Sequence, residues 1–462
     1  MRTAPDRELA IKSAPISVDY AARNARSGFV PDLDRLADRK LAGVVADGGR
    51  LRALVLELWQ RTRMDWGFVT DRLAQTFRKE SWIGAHERRF VSETLYGMVR
   101  HLRRVDLALE RGRRVKKPPR DLERLLAVLV LEKLIDPARA AQVDSELDWT
   151  AVAGVDAAIA AERRTDKRIA LAHSLPDWLA TRLVADWGDE ADALAASLNE
   201  RAPMTVRANT LVVARDALAA ELAKENLSTA PGRWSDTALV VTSRTNLFAS
   251  AAFKRGAMEA QDEGSQLLAE LAVPGKLIVD YCAGAGGKTL AIAARLANRG
   301  RIVATDIDTG KLEELRRRAR RAGVSNMQAM TVNDRQLDAL HGRADVVFVD
   351  APCSGIGALR RNPEARWRLR ETDIAGFAAK QREIMAAAMQ LAAPGARIVY
   401  ATCSLLSEEN ERVAESLAAD PVALSDVLGA QRAEALGRSG AFTVTPHRHG
   451  TDGFFARVLV KR

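Results

Sequence analysis

The amino-acid sequence predicts a protein of three parts: an all-helical module, a small α/β connector, and an α/β domain with a mostly parallel sheet of seven strands. Apolar residues recur three and four positions apart between residues 51 and 134, as on one face of a helix. From residue 263 onward, short β-branched runs alternate with helical stretches. A glycine-rich turn within Leu277–Thr289, LIVDYCAGAGGKT, joins the first of these strands to a helix.

The boundaries between the parts are placed where the pattern changes. Residues 1–47 are polar and irregular, so we expect an N-terminal extension that is partly disordered. The helical module then occupies residues 48–172, the connector residues 173–262, and the α/β domain residues 263–462.

The α/β domain is predicted to contain five parallel strands followed by an antiparallel pair at the sheet edge. The Asp452-Gly453 turn signal separates the two strands of that pair. The predicted strands are residues 277–281, 301–305, 328–332, 345–349, 397–401, 441–445 and 454–460.

Composition limits the class of protein. The chain has 462 residues, 47% of them hydrophobic, which suits a folded protein with several cores. No apolar run reaches the length of a membrane span, and the first residues lack the apolar core of a secretory signal. We therefore expect a cytoplasmic monomer that does not bind membranes. No metal site is predicted, because the three cysteines form no CxxC pair and His447 and His449 have no third ligand nearby.

Positive charge is concentrated in the helical module. The chain carries a net charge of +10, and Arg100–Arg124 alone has ten Lys or Arg against four Asp or Glu. Such a cluster pairs with phosphates without reading sequence, whereas the simpler alternative is a solvated face. The residues predicted to contact nucleic acid here are Arg113, Arg114, Lys116 and Lys117.

Acidic residues and all three cysteines follow the ends of the five predicted parallel strands. Ligands of open α/β sheets bind outside these carboxyl ends. Taken singly, an Asp after a strand caps a helix and a free Cys is a small buried hydrophobe. Their joint position predicts a ligand site at this edge. The residues are Asp280, Cys282, Asp306, Asp334, Asp350, Cys353 and Cys403.

The glycine-rich turn has two alternative interpretations. Gly287-Lys288-Thr289 resembles the end of a phosphate-binding P-loop, but that motif needs a glycine where this chain has Cys282. Asp306 lies 22 residues beyond Gly284, which suits an acid that binds the ribose of a dinucleotide or an adenosyl ligand. Hydride transfer to a nicotinamide has no use for two cysteines at neighbouring strand ends.

Two cysteines beside an adenosyl ligand suit methylation of a pyrimidine. Carbon 5 of cytosine is a poor nucleophile, but addition of a thiolate at carbon 6 makes it enamine-like. It can then take a methyl group from a sulfonium donor. An acid beside ring nitrogen 3 stabilises the adduct, and a second thiol can assist release.

The last part of the chain, about 200 residues, resembles the RNA cytosine-5 methyltransferases of bacteria and eukaryotes. The motifs that carry the resemblance are DYCAGAGGKT, TDID, VNDR, DAPCSGIGALRRNPEARWR and YATCSLLSEEN, in that order, with QDEGS just before them. The helical stretch RRFVSETLYGMVRHLRRVDLAL looks like the RNA-binding domain shared with the antitermination factor NusB. The three-part arrangement is similar to the small-subunit ribosomal RNA branch of the family.

The resemblance implies a Rossmann-like domain that uses S-adenosylmethionine to methylate RNA, most simply small-subunit ribosomal RNA. It implies that Cys403 is the nucleophile, that Cys353 helps to release the product, and that Asp350 holds the cytosine and borders the donor pocket. Asp306 would bind the donor ribose and Asp334 the adenine side. The residues implied around the methionine end are Cys282, Ala283, Gly284, Ala285, Gly286, Gly287 and Lys288, with Cys282 contributing mainly backbone.

A basic stretch follows the Cys353 loop. Arginines with one aromatic residue beside a nucleotide pocket suit phosphate contacts and base stacking, and the simpler alternative is a solvated loop. The residues predicted to bind RNA here are Arg360, Arg361, Arg366 and Trp367.

The donor loop departs from the family pattern CAAPGGK. Ala285 stands in place of the proline and Gly284 in place of an alanine, so we expect a softer loop. Ser407 is expected to cap a helix whose first turn holds Glu408 and Glu409. Alternative functions are methylation of transfer RNA and a non-catalytic RNA-binding assembly factor. A DNA methyltransferase would leave Cys403 unexplained.

Overall fold

The computed structural model describes residues 35–115, 117–243 and 246–462. Most of the predicted N-terminal extension, residues 1–47, lies outside these ranges. Its last part forms the helix Arg35–Asp47, and Ala42, Val45 and Ala46 of that helix are buried in the helical core.

The helical module is built from short amphipathic helices whose apolar residues meet in one core around Trp59, Leu95 and Leu125. No helix among the described residues is both long and apolar enough to span a membrane. The helices of this part are Arg35–Asp47, Gly49–Asp65, Val69–Lys79, Ala85–Arg100, Leu102–Gly112, Asp121–Leu131, Pro137–Val143, Trp149–Ala153, Val155–Ala160 and Thr165–Ala172.

The connector contains two kinds of structure. Helices Asp177–Trp187 and Ala191–Ser197 pack against loops of the α/β domain, where Leu183 shares a core with Ile356 and Leu405. An antiparallel sheet follows. Its strands are β1 (Thr205–Ala208), β2 (Thr229–Pro231), β3 (Ala238–Val241) and β4 (Met258–Ala260), with helices Arg215–Lys224 and Ala251–Lys254 between them. The strands lie in the order β2-β3-β1-β4.

The α/β domain has one mixed sheet. Its strands are β5 (Leu277–Asp280), β6 (Arg301–Asp306), β7 (Met327–Thr331), β8 (Ala344–Asp350), β9 (Ala392–Thr402), β10 (Ala419–Pro421), β11 (Gly437–Arg438), β12 (Ala441–Val444) and β13 (Phe454–Lys461). They lie in the order β11-β12-β13-β9-β8-β5-β6-β7, with β10 paired to β13. Strands β5 to β9 are parallel and the others antiparallel. The helices are Glu263–Glu270, Gly287–Arg295, Thr309–Ala322, Arg335–Asp338, Ala365–Arg368, Glu371–Met389, Glu411–Glu415, Leu424–Leu428, Ala430–Leu436 and Pro446–His449.

The predicted α/β fold class is confirmed, and all seven predicted strands are present. The two further strands, β10 and β11, have three and two residues, too few to show a hydrophobic period. Successive residues of β5 face opposite layers of the domain: Ile278 lies in one core and Val279 in the other. Because both faces are covered by apolar packing, the carboxyl edge of the parallel strands is where ligands can approach.

Candidate functional site

Two cysteines converge at the carboxyl edge of the sheet. Cys353 lies just beyond β8 and Cys403 directly follows β9, and these parallel strands pair up to Asp350 and Ala401. The two Sγ atoms are 3.3 Å apart, and the backbone N–H of Cys403 donates to the sulfur of Cys353 at 3.3 Å. Both side chains are half-buried, so neither is sealed in the hydrophobic interior.

Two glycines allow the cysteine loops to approach. The N–H of Gly357 donates to the carbonyl of Cys403, and the N–H of Gly453 donates to the carbonyl of Gly357, both at 2.8 Å. A Cβ on Gly357 would lie 2.2 Å from the carbonyl oxygen of Gly453, which is a severe clash. Glycine is therefore required where the Cys353 loop, the Cys403 loop and the β12–β13 hairpin meet.

The surroundings of Cys353 and of Cys282 raise the pKa of both thiols. Contact with Cys403, and then burial, raises the pKa of the Cys353 thiol well above its usual range. Cys353 is therefore a neutral thiol at physiological pH. Burial, with the nearby carboxylates of Asp280 and Asp350, also raises the pKa of Cys282. A thiol of that kind is a poor nucleophile, in agreement with a backbone role for Cys282.

The acid at the end of β8 is held by Lys288, from the first turn of the helix that follows the glycine-rich turn. Lys288 Nζ donates to Asp350 Oδ2 at 2.5 Å. Burial acts to lower the pKa of the Lys288 ammonium, but attraction to Asp350 and the hydrogen bond between them outweigh it and raise that pKa. No sequence pattern predicts this contact. The resemblance implies for Lys288 only a place at the methionine end of the donor. The contact orients the carboxylate beside the two sulfurs.

The glycine-rich turn leaves bare backbone at the sheet edge. Gly284 and Gly286 have φ of +55° and +83°, a region that favours glycine. A Cβ on Gly284 or Gly287 would meet nothing within 4 Å, so there is open space over the loop. The Asp306 carboxylate accepts the N–H of Gly284 at 2.9 Å, and the adjacent Ile307 side chain is 81% exposed.

These features fit an adenosyl ligand. A carboxylate fixed at a strand end suits ribose hydroxyls, an exposed apolar side chain beside it suits a flat base, and bare backbone suits close approach.

Asp334 serves as the N-cap of helix Arg335–Asp338, because its side chain accepts the N–H of Gln336 at 2.9 Å.

The Ala285 position is supported from outside the loop. Its carbonyl accepts a hydrogen bond of 2.7 Å from Arg318, which also pairs with the buried Glu259 at 3.0 Å. This anchor partly replaces the conformational restriction that a proline would provide. The sequence gives no signal for it, because Glu259, Ala285 and Arg318 are far apart in the chain.

Asp280 is a buried carboxyl beneath the donor loop. Its Oδ2 accepts the hydroxyl of Thr289 at 2.6 Å, whereas its Oδ1 is buried with no hydrogen-bond partner among the described residues. Burial raises the pKa of Asp280 to about 7, and the Thr289 hydroxyl only partly opposes this.

Asp280→Asn is expected to change how stability depends on pH. Because the folded-state pKa lies above that of the unfolded chain, the folded protein binds the proton more tightly. Stability is thus lost as pH rises from about 4 to about 7, by up to about 4 kcal/mol. Urea unfolding of donor-free protein should show about 2–3 kcal/mol of this loss between pH 5 and pH 8 in the wild type, because part of it already falls below pH 5, and should not show it in Asp280→Asn. Equal pH dependence in both proteins would mean that Asp280 titrates normally.

The predicted RNA-binding stretch after Cys353 is mostly structural. Arg360 is 3% exposed and donates to Asp452 at 2.7 Å, and Arg361 pairs with both Asp452 and Asp262. The prediction that these arginines face RNA is corrected, because their guanidinium groups are already engaged. They join the β12–β13 turn to the QDEGS segment.

Arg366 and Trp367 connect the three parts of the chain. Arg366 is fully buried, and Trp367 donates its indole N–H to the carbonyl of Val99 at 2.9 Å. Both were predicted to bind RNA, and both instead lie at the junction with the helical module. The groups that accept hydrogen bonds from Arg366 are the carbonyls of Arg100, His173, Ser174 and Leu198 and the side chain of Asn199.

Arg366→Ala should destabilise the protein strongly, because it leaves a cavity and several buried carbonyls without a donor. We expect a loss of roughly 3–5 kcal/mol in urea unfolding. The exposed Arg320 is the matched control, and Arg320→Ala should change stability by less than about 0.5 kcal/mol. A small stability loss together with weakened RNA binding would restore the original prediction for Arg366.

The basic loop of the helical module, between helices Leu102–Gly112 and Asp121–Leu131, has both paired and exposed basic side chains. Arg113 pairs with the buried Glu123, whereas Arg114 and Lys117 are exposed. Lys116 lies outside the described residues. Arg114 and Lys117 therefore remain available for phosphate contacts.

The two C-terminal histidines have protein partners. The ring of His447 lies 3.0 Å from Glu190, and that of His449 lies 3.0 Å from the carbonyl of Ala435. In the part of the chain that the structure describes, no group of three or more His, Cys, Asp or Glu residues could hold a metal ion.

Glu409 is the residue of the site that sequence reasoning missed. The expected helix after Ser407 instead begins at Glu411, and the Glu409 side chain is fully buried between the cysteine loops. Its position six residues after Cys403 was the available signal, but an acid next to another acid is typical of an exposed helix start.

Two family models match the chain. The model described as 16S rRNA methyltransferase RsmB/F matches residues 268–460. A second, described as the RsmF/B-like methyltransferase ferredoxin-like domain, matches residues 175–247.

Similar proteins cover most of the chain. The probable ribosomal RNA small subunit methyltransferase B of Synechocystis sp. is 29% identical over 411 residues, 81% of this chain and 91% of the relative. The ribosomal RNA small subunit methyltransferase B of Xanthomonas campestris pv. campestris is 30% identical over 400 residues, 81% of this chain and 89% of the relative. The crystal structure of a methyltransferase homolog protein from Pyrococcus horikoshii is 26% identical and has a TM-score of 0.53, covering 64% of this chain and 98% of that one.

Proposed function

The chain belongs to the RsmB/F family of 16S rRNA methyltransferases, and from this membership we propose that it methylates carbon 5 of a cytosine in small-subunit ribosomal RNA. The observation that carries the proposal is the pair of sulfur atoms 3.3 Å apart, beside Asp350 and the glycine-rich loop. Two thiols in contact at the sheet edge suit formation and release of a covalent base adduct, and a non-catalytic RNA-binding protein has no need of them.

Cys403 is the proposed nucleophile. Its thiolate adds to carbon 6 of the cytosine, and the electrons of the 5,6 double bond then make carbon 5 reactive. Negative charge that develops on the ring is neutralised by a proton that moves from the Lys288–Asp350 pair to ring nitrogen 3, and Lys288 holds the Asp350 carboxyl in place. The base must leave its stack to reach this edge, so single-stranded or locally melted RNA is the expected substrate.

S-adenosylmethionine is the methyl donor, and when bound it supplies an electrophilic methyl group to carbon 5. The backbone of residues 282–288 would hold its methionine end, with Asp306 at the ribose and Asp334 on the adenine side. The open space over Gly284 and Gly287 supports this assignment.

Cys353 is proposed to assist release. Carbon 5 must lose its proton to water, the electrons of that bond re-form the 5,6 double bond, and the bond between carbon 6 and Cys403 must break with its electron pair returning to sulfur. The Cys353 thiol, kept neutral by its hydrogen bond with Cys403 and by burial, can donate a hydrogen bond to that departing thiolate.

Arg114 and Lys117 are proposed to contact the RNA backbone from the helical module. Both are exposed in a loop of high positive charge, which gives affinity without base specificity.

The substrate is tested by methylating small-subunit ribosomal RNA fragments and transfer RNA side by side with the same enzyme. Nuclease digestion and mass spectrometry should find 5-methylcytidine in the ribosomal RNA and at most trace amounts in the transfer RNA. Methylation of transfer RNA alone would replace the proposed substrate. A modified base other than cytosine would overturn the proposed chemistry.

A further inference from the structure

We infer that Glu409 is a positioning residue that sets the separation of the two reactive sulfurs by clamping together the loops after β8 and β9. The inference rests on the proposed function and deepens it, since neither the sequence motifs nor the family descriptions assign this residue a role in the reaction.

One carboxylate contacts both cysteine loops. Oε1 of Glu409 accepts the backbone N–H of Ser354 at 2.8 Å, and Oε2 accepts the hydroxyls of Ser354 and Ser404 at 2.5 and 2.6 Å. Each serine directly follows one of the two cysteines. The carboxylate therefore ties the two loops together, beside the direct contact of 3.2 Å between the two serine hydroxyls and the bond from the Gly357 N–H to the Cys403 carbonyl.

The Glu409 side chain is itself held rigidly. Gln381, on helix Glu371–Met389, donates to Oε1 of Glu409 at 3.1 Å and to the carbonyl of Pro352 at 3.0 Å. The hydroxyl of Tyr400 donates to Oε1 of Gln381 at 3.0 Å. This second layer prevents Glu409 from moving toward either loop alone.

The two side-chain oxygens of Glu409 are surrounded by hydrogen-bonding groups. Its partners are the Ser354 N–H, the Gln381 amide and the Ser354 and Ser404 hydroxyls, and one carboxylate can accept hydrogen bonds from all four. No Lys or Arg in the described ranges forms an ion pair with Glu409, although its side chain has no exposed surface. A buried charge without a cation is costly, and apolar residues of similar size would hold two loops together at lower cost. A carboxylate at this position therefore suits the positioning of the two loops better than it suits stability.

The charge also acts on the reactive pair. After the hydrogen bond with Cys403 and burial, the negative charge of Glu409 is a further cause that raises the pKa of Cys353. Glu409 therefore favours the neutral thiol at Cys353 while holding it against Cys403.

Two substitutions at Glu409 separate the effect of its side-chain length from the effect of its negative charge. Glu409→Asp keeps the charge but is one methylene shorter, so it cannot contact both loops in their present positions. Glu409→Gln keeps the reach and loses the charge, because its amide can donate to the serine hydroxyls while its oxygen accepts the Ser354 N–H. Glu415→Asp, on the exposed surface of helix Glu411–Glu415, is the matched control.

The test measures thiol geometry in the full chain without RNA or donor. A fluorogenic bifunctional reagent bridges two neighbouring thiols, and peptide mapping identifies the bridged cysteines. We expect bridging of Cys353 to Cys403 to slow by at least about tenfold in Glu409→Asp and by less than about threefold in Glu409→Gln and Glu415→Asp. In Glu409→Gln, alkylation of Cys353 should also begin at lower pH than in the wild type.

The outcomes separate this inference from the proposed function. Wild-type bridging rates in Glu409→Asp would overturn the clamp whether or not the enzyme methylates RNA. Conversely, a wild-type enzyme that forms no adduct with RNA would overturn the proposed chemistry while the bridging result could still be interpreted. If Glu409→Asp does not fold, judged by donor binding and thermal unfolding, the paired Ser354→Ala and Ser404→Ala substitutions remove both hydroxyl contacts. Unchanged bridging in that variant would likewise refute the clamp.

Discussion

Cys403→Ser is expected to reduce RNA methylation by at least about a thousandfold, because a hydroxyl is a far weaker carbon nucleophile than a thiolate at neutral pH. The loss should appear in kcat, measured as methyl groups incorporated into ribosomal RNA. The substitution replaces one sulfur with a smaller oxygen at a half-buried position, so the fold and the glycine-rich loop should be unaffected.

Donor binding measured by calorimetry is the control for this variant. Cys403→Ser should bind S-adenosylmethionine with an affinity within about threefold of the wild type, since the proposed donor residues lie on other strand ends. Methylation at an undiminished rate would remove Cys403 from the mechanism. Loss of donor binding would show instead that the substitution disturbs the whole site.

Cys353→Ala is expected to accumulate a protein–RNA adduct that survives denaturant. Addition at carbon 6 and methyl transfer require Cys403, whereas release is assisted by the neighbouring thiol, so removing that thiol slows the last step. Most of the enzyme should migrate with RNA on a denaturing gel, while the wild type shows little adduct. Turnover should fall by about a hundredfold or more.

The double variant with Cys353→Ala and Cys403→Ser provides the control, because it lacks the nucleophile and should form no adduct. Normal turnover by Cys353→Ala without an adduct would contradict the release role. An adduct that persists in the double variant would point to attachment through another residue.

Convergence of the two sulfurs could be predicted from sequence because topology dictates it. Parallel strands carry their carboxyl ends to one edge, so residues just beyond Asp350 and Thr402 must lie close together once the strands are adjacent. The same reasoning placed Asp306 beside the glycine-rich loop, where it accepts the N–H of Gly284. No comparable rule gives the contact between Lys288 and Asp350, which depends on side-chain direction.

The fate of the arginines after Cys353 could not be predicted in this way. A run such as RRNPEARWR has the same composition whether it faces RNA or fills a junction between domains. The two cases differ in whether the arginine side chains are buried, and this depends on how the helical module and the connector dock onto the α/β domain. The two terminal nitrogens of Arg366 donate to carbonyl groups from segments of the chain far from it in sequence, and no local pattern reports such partners.

Glu409 was missed for a related reason. Acids are rarely fully buried, so an acidic pair after Ser407 is typical of a solvated helix start. Only the positions of Ser354 and Ser404 show that the carboxylate has donors on both sides.

The central claim, that Cys403 bonds covalently to cytosine, is tested most directly with ribosomal RNA that contains 5-fluorocytidine. Fluorine at carbon 5 cannot leave as a proton does, so elimination is blocked and the adduct is trapped after methyl transfer. Protease and nuclease digestion followed by mass spectrometry should find one methylated fluorocytidine attached to Cys403. Attachment to Cys353, or no covalent product from an enzyme that methylates unmodified RNA, would contradict the account.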